Sequence, residues 1–155
     1  MIAVEDYRHP EEEKILLSIE KTFLAEETIL DYYRKIIVRQ RRIDLLGKTV
    51  QASEKQFKDL YFLLVDICKQ LGVITPEIFI YEDYYYGAAI YGIDEPWIEI
   101  SAKTITDFSE AELRFLLARQ VARIKSGHLN VLALIDQYKN IDDNLLGSIF
   151  KGLTL

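Results

Sequence analysis

The sequence predicts an α+β fold, mostly helical with a small antiparallel β-sheet. Three observations carry that prediction. Amphipathic stretches with apolar residues three and four apart fill both ends of the chain and a central segment. Between them, the short runs 77–81, 88–91 and 97–101 are rich in β-branched and aromatic residues, punctuated by Gly87, Gly92 and the turn Asp94-Glu95-Pro96. Two Ser-x-x-Gln/Glu spacings, Ser53 to Gln56 and Ser109 to Glu112, each precede an apolar run and read as helix starts.

In chain order, His9-Pro10-Glu11-Glu12-Glu13 opens a helix, with Pro10 near its first position and acids at its positive end. A second helix is expected from Glu26 to Leu46, capped by Gly47. It carries Arg34, Lys35, Arg39, Arg41 and Arg42 interleaved with Ile36, Ile37, Val38 and Ile43, which reads as a solvated face. A short strand follows at Thr49–Ala52, then a helix from Ser53 as N-cap, with Phe57, Leu60, Tyr61, Leu64, Ile67, Cys68 and Leu71 on its apolar face. Gly72 stops it. The cluster Tyr84 to Tyr86 reads as strand and loop aromatics at a sheet edge, with an exposed recognition surface as the alternative.

The segment Phe115–His128, FLLARQVARIKSGH, is the core of the central helix. Leu113, Leu116, Leu117, Val121 and Ile124 make one apolar wall, with Gln120 at its far edge, and Phe115, Ala118 and Ala122 line the other side. Two apolar sides predict a helix wedged between layers. Of its two polar stripes, Arg114 and Lys125 are expected to meet solvent. Arg119, Arg123 and Ser126 are expected to look into a cleft. Further helices are expected from Leu129 to about Tyr138 and, more weakly, from Asp142 to Phe150.

The chain has 155 residues, of which 50% are hydrophobic and 28% charged. That suits one domain, with N-terminal helices over 1–48, a core over 49–128 and C-terminal helices over 129–155. A net charge of −6 argues against nucleic acid as a partner. The lone Cys68 has no internal disulfide partner and reads as a buried small hydrophobe, so a reducing, cytoplasmic setting is expected. The acidic N-terminus does not read as a signal peptide, and no window is apolar enough to span a bilayer.

The ordered set of segments from Gln51 to His128 resembles the peptidase domain of HtpX-type and CAAX-prenyl-protease-like zinc metallopeptidases. Their pattern is close to ELxxVLAHELGHIKSGH, and the corresponding segment here runs from Glu112-Leu113 to Ser126-Gly127-His128. Upstream, RRIDLLGKTV, SEKQF and DICKQLGV match the lead-in helices and PEIFIY the first strand. GAAIYG stands where the family has an edge strand beside its substrate cleft, and WIEIS where a strand precedes the catalytic helix. The resemblance implies a zincin-like fold, with the sheet packed on the former active-site helix.

The departures fall on the chemistry. In the family's HExxH device two histidines bind zinc, and the glutamate between serves as general base. Arg119 and Arg123 occupy the histidine positions, and a guanidinium has no lone pair to offer a metal. Gln120 occupies the position of the base and cannot accept a proton. The family's third ligand is a later glutamate, yet no Glu follows Glu112. Neither zinc nor any other cofactor is therefore expected, and His128 reads as a structural hydrogen bonder. The arginines need anions, because unpaired buried charge is costly. Candidate internal partners are Asp94, Glu95, Glu99 and Asp136, and the alternative is an external peptide carboxylate or phosphate.

The resemblance thus implies a catalytically inactive peptidase-like protein that binds a peptide or protein. The edge strand Gly87, Ala88, Ala89, Ile90 and Tyr91 would lie along the cleft and pair with an extended chain. A competing reading is a metallopeptidase or other hydrolase using an unrecognised site, or the soluble part of a membrane-associated protease-like protein. Oligomeric state is left open.

Overall fold

The computed structural model describes residues 2–22 and 27–139. Helix α1 spans Glu12–Thr22 and α2 spans Glu27–Tyr32. A π-helical turn over Tyr33–Val38 leads into α3, Arg39–Lys48. Then come β1 (Thr49–Gln51), α4 (Lys58–Leu71), β2 (Glu77–Tyr81), β3 (Ala88–Tyr91), β4 (Trp97–Ser101), α5 (Ala102–Asp107), α6 (Glu110–Lys125) and α7 (Leu129–Lys139). The helix expected at 142–150 lies outside the described residues.

The fold is α+β as expected, but its sheet is mixed. The strand order is β1-β2-β4-β3. β2 and β4 run parallel, Ile78 beside Ile98 and Ile80 beside Ile100. β1 and β3 pair antiparallel at the two edges. The antiparallel expectation fails because β3 skips past the place β4 will take. β4 then returns between β2 and β3, pointing the same way as β2.

One sheet face presents Ile78, Ile80, Ile90, Ile98 and Ile100 to Leu63, Leu64, Ile67 and Cys68 of α4 and to Leu113, Leu117 and Val121 of α6. The other presents Phe79 and Trp97 to Leu45 of α3, with Val38 and Tyr91 alongside. The sheet, not the central helix, is the wedged layer. Accordingly α6 buries one side only and leaves Phe115 72% exposed, against the two-sided expectation. Its Arg114 does not simply meet solvent, since it pairs with Asp66 of α4 at 2.6 Å.

Several local readings change with their physical cause. Ser53 and Gln56 exchange main-chain hydrogen bonds as a tight antiparallel turn instead of capping a helix. The N-cap of α4 is Phe57, in a left-handed conformation at φ 52°. Gly47 does not end its helix: α3 continues to Lys48, and Thr49 is already extended. The N-terminal helix begins at Glu12, after Nδ1 of His9 has accepted the Glu11 N–H.

By contrast, Gly72 ends α4 at φ 67°, and Ser109 and Glu112 form the reciprocal box that starts α6. α6 stops at Lys125, not His128. Gly127 takes φ 72°, and its N–H reaches the Ile124 carbonyl while His128 N–H reaches that of Arg123. His128 then hydrogen-bonds Glu12, the structural role expected of it. Burial alone would raise the Glu12 carboxyl, but hydrogen bonds from His128 and Arg8 outweigh it and hold it below the usual range. Cys68 is buried as expected, and burial pushes its thiol up to about 11.

Gly92, after β3, has φ 81°, and a Cβ there would stand 2.6 Å from the Glu95 carbonyl and 2.8 Å from the Trp97 ring. Gly92→Ala is expected to cost about 2 kcal/mol, from left-handed strain plus displacement of Trp97. Urea unfolding with an unchanged slope would measure it.

A half-buried arginine pair beside the sheet edge

β3 positions the site because, among the described residues, no strand pairs with its outer edge. Its start is fixed by Thr104, whose hydroxyl accepts the Gly87 N–H at 2.9 Å and lies 2.8 Å from the Ser101 hydroxyl. Ser101 also caps α5. That short helix and its anchor were not predicted, although Ser101-x-x-Thr104 has the spacing of a Ser N-cap. Ser101 N–H donates to the Gly87 carbonyl at 2.9 Å. From that pair the antiparallel alternation turns Ala89 and Tyr91 toward β4, and the main-chain groups of Ala88 and Ile90 away from the sheet.

α6 runs along this edge. Gln120 is 2% exposed, and its Nε2 donates to the Ala88 carbonyl at 3.3 Å. Its Oε1 accepts from Arg123 Nη1 at 3.0 Å. One carboxamide thus ties helix, strand edge and guanidinium together. Arg123 lies in the last turn of α6, where the helix dipole favours a cation. Burial, and then the like charge of Arg119 one turn earlier, pull the Arg123 guanidinium below its usual range. Arg119 itself is exposed.

Arg123 lines a cavity of about 290 Å³ together with Tyr33, with Ala89, Ile90, Tyr91 and Gly92 of the strand edge, and with Leu129, Leu132, Ala133, Ile135 and Asp136. The predicted set therefore comes together in part: Gln120, Arg123, the β3 edge and Asp136 meet. Three of the four expected carboxylates are engaged elsewhere. Asp94 pairs with Arg34 at 3.3 Å and Glu95 with Arg42 at 3.8 Å. Glu99 receives Arg41 on both oxygens, at 2.8 and 2.9 Å, and Trp97 Nε1 at 2.9 Å.

That network overturns the solvated-face reading for Arg41 and Arg42. Arg41 lies 3.5 Å above the Tyr91 ring and Arg42 5.1 Å above that of Trp97. The tyrosine cluster is corrected too. Tyr84 is 91% and Tyr85 79% exposed, and only Tyr86 packs, against Phe108 with its hydroxyl on Asp107.

The donor set does not fit zinc. Two guanidiniums offer no lone pair, and the amide between them is committed to Ala88 and Arg123. Among the described residues no group of three His, Cys, Asp or Glu is placed to hold a metal, and no helix is long and apolar enough to cross a membrane.

Removing the Gln120 side chain should leave the Ala88 carbonyl and Arg123 without that partner. Gln120→Ala is therefore expected to lose about 2 kcal/mol. Amide exchange in β3 should accelerate with it, read by hydrogen–deuterium exchange.

In sequence, the chain shows a distant likeness to a metallopeptidase. The chain is 24% identical over 127 residues, 80% of its length, to the plastoglobule-localized metallopeptidase 48, chloroplastic, of Arabidopsis thaliana. It spans 37% of that relative's length. No protein-family model matches the chain.

Proposed function

We propose that this chain is a peptidase-derived binding module that holds an extended peptide without cleaving it. What supports this reading is that Arg119, Gln120 and Arg123 stand where the resembled motif has its metal ligands and base, on a helix that ties to the β3 edge through Gln120. Peptidase origin is supported by the distant metallopeptidase relative. The HtpX-type, zincin-like assignment rests on the segment pattern from Gln51 to His128.

A bound segment would pair with the outward N–H and C=O of Ile90, as peptides add to sheet edges. Gln120 already takes the Ala88 carbonyl, so pairing is short unless that amide swings away. Without a Lewis acid or a base, nothing polarises or attacks the bound peptide bond. A cytoplasmic setting, expected from the lone Cys68, belongs to the same proposal.

The test is titration of isotope-labelled protein with unstructured peptides. Amide shifts at Ala88–Tyr91 are expected, with the peptide recovered intact by mass spectrometry. Cleavage at a unique bond, or no shift in β3 with any peptide, contradicts the reading.

A further inference from the structure

We infer that the Arg123 cavity is a carboxylate-binding site that anchors the end of a bound peptide segment and accepts an apolar residue beside that carboxylate. This rests on the peptide-binding reading and names the chemistry that would recognise the ligand.

Three features of the site converge on that ligand. First, Arg123 is half-buried, and among the described residues its side-chain hydrogen-bond partner is the neutral Gln120 Oε1, with Arg119 adding like charge. A guanidinium in that position gains from a carboxylate, whose two oxygens match its parallel N–H groups. Second, Ile90, Leu129, Leu132 and Ala133 give the cavity an apolar part beside its polar residues. Its volume of about 290 Å³ is at the bottom of the range for ligand pockets, enough for a single side chain and its carboxylate. Third, Ile90 turns its main-chain groups outward beside this cavity, so a segment paired there brings its next residue to Arg123.

Asp136 also lines the cavity and acts electrostatically on Tyr33 and Tyr91, whose hydroxyls are raised above their usual range mainly by burial.

The probe is fluorescently labelled Ala-Ala-Ala-Leu, compared as free acid and as C-terminal amide by anisotropy. A third form, amidated but ending in Asp, separates a side-chain carboxylate from a chain terminus. The free acid is expected to bind at least about tenfold more tightly than the amide, the size of one lost charged hydrogen bond. Arg123→Gln should bring the free acid down to the affinity of the amide, and Arg119→Gln should reduce the difference by less. Binding of the Asp-ended amide as tight as that of the free acid supports the carboxylate site and assigns it to a side chain.

Equal binding of free acid and amide, with β3 amides still shifting, overturns this inference and leaves the peptide-binding reading standing. So does inorganic phosphate displacing the free acid at equal concentration, which would mark a general anion site. Failure of all three probes and of longer peptides to bind sinks both.

Discussion

Trp97→Ala is expected to lower stability by about 4 kcal/mol, the middle of the range for deleting a buried aromatic. Trp97 is fully buried at the start of β4. It fills the space between the second sheet face and α3, against Leu45 and Phe79, with Tyr91 6.1 Å away between ring centroids. Thermal unfolding followed by circular dichroism should show a midpoint lower by roughly 10 °C for a chain of this length. A drop under 2 °C would mean that α3 does not dock on the sheet as described.

Glu99→Ala is expected to cost about 3 kcal/mol, the low end for breaking a buried charged pair because Arg41 is partly exposed and can rehydrate. Glu99 is 7% exposed, and its carboxylate serves both Arg41 and Trp97 Nε1. Truncation strands an indole N–H and a guanidinium stacked on Tyr91. Denaturant titration measures the loss. Glu99→Gln, which keeps an acceptor, should lose less. The double variant with Trp97→Ala should lose clearly less than the sum of the two, since they share one network. Additive losses would show that the indole and the carboxylate do not act together.

The same two residues show how far the sequence could be read. The positions of β2, β3 and β4 were legible because β-branched and aromatic runs between Gly, Pro and Asp are local signals. Their order was not. The parallel neighbourhood of β2 and β4 depends on where β3 is inserted, which no short window contains. The Ser109–Glu112 box and the Gly72 stop were legible for the same local reason. Ser53 to Gln56 has identical spacing and makes a turn, because Phe57 breaks into a left-handed conformation before the helix begins.

Arg41 looked like any cation on an amphipathic helix. Its partner Glu99 lies 58 residues away on β4. A basic stripe has one pattern whether it meets water or a buried carboxylate, and the tertiary arrangement alone separates the two. At the candidate site, Arg119, Gln120 and Arg123 were legible as an unusual stripe, and as positions of the resembled motif. Which anions they meet was not, since Asp94, Glu95 and Glu99 were drawn off by arginines of the N-terminal helices. The tie from Gln120 to the Ala88 carbonyl spans 32 residues and was equally invisible.

The most direct test of the central claim, that α6 carries a peptidase scaffold without its zinc chemistry, is zinc stoichiometry. The full chain would be loaded with excess zinc, desalted and measured by elemental analysis alongside a broad peptide-hydrolysis assay. The expected result is no retained zinc and no chelator-sensitive cleavage, because Arg119 and Arg123 repel a cation and Gln120 is already bonded. One zinc per chain, with hydrolysis abolished by chelator, would contradict it.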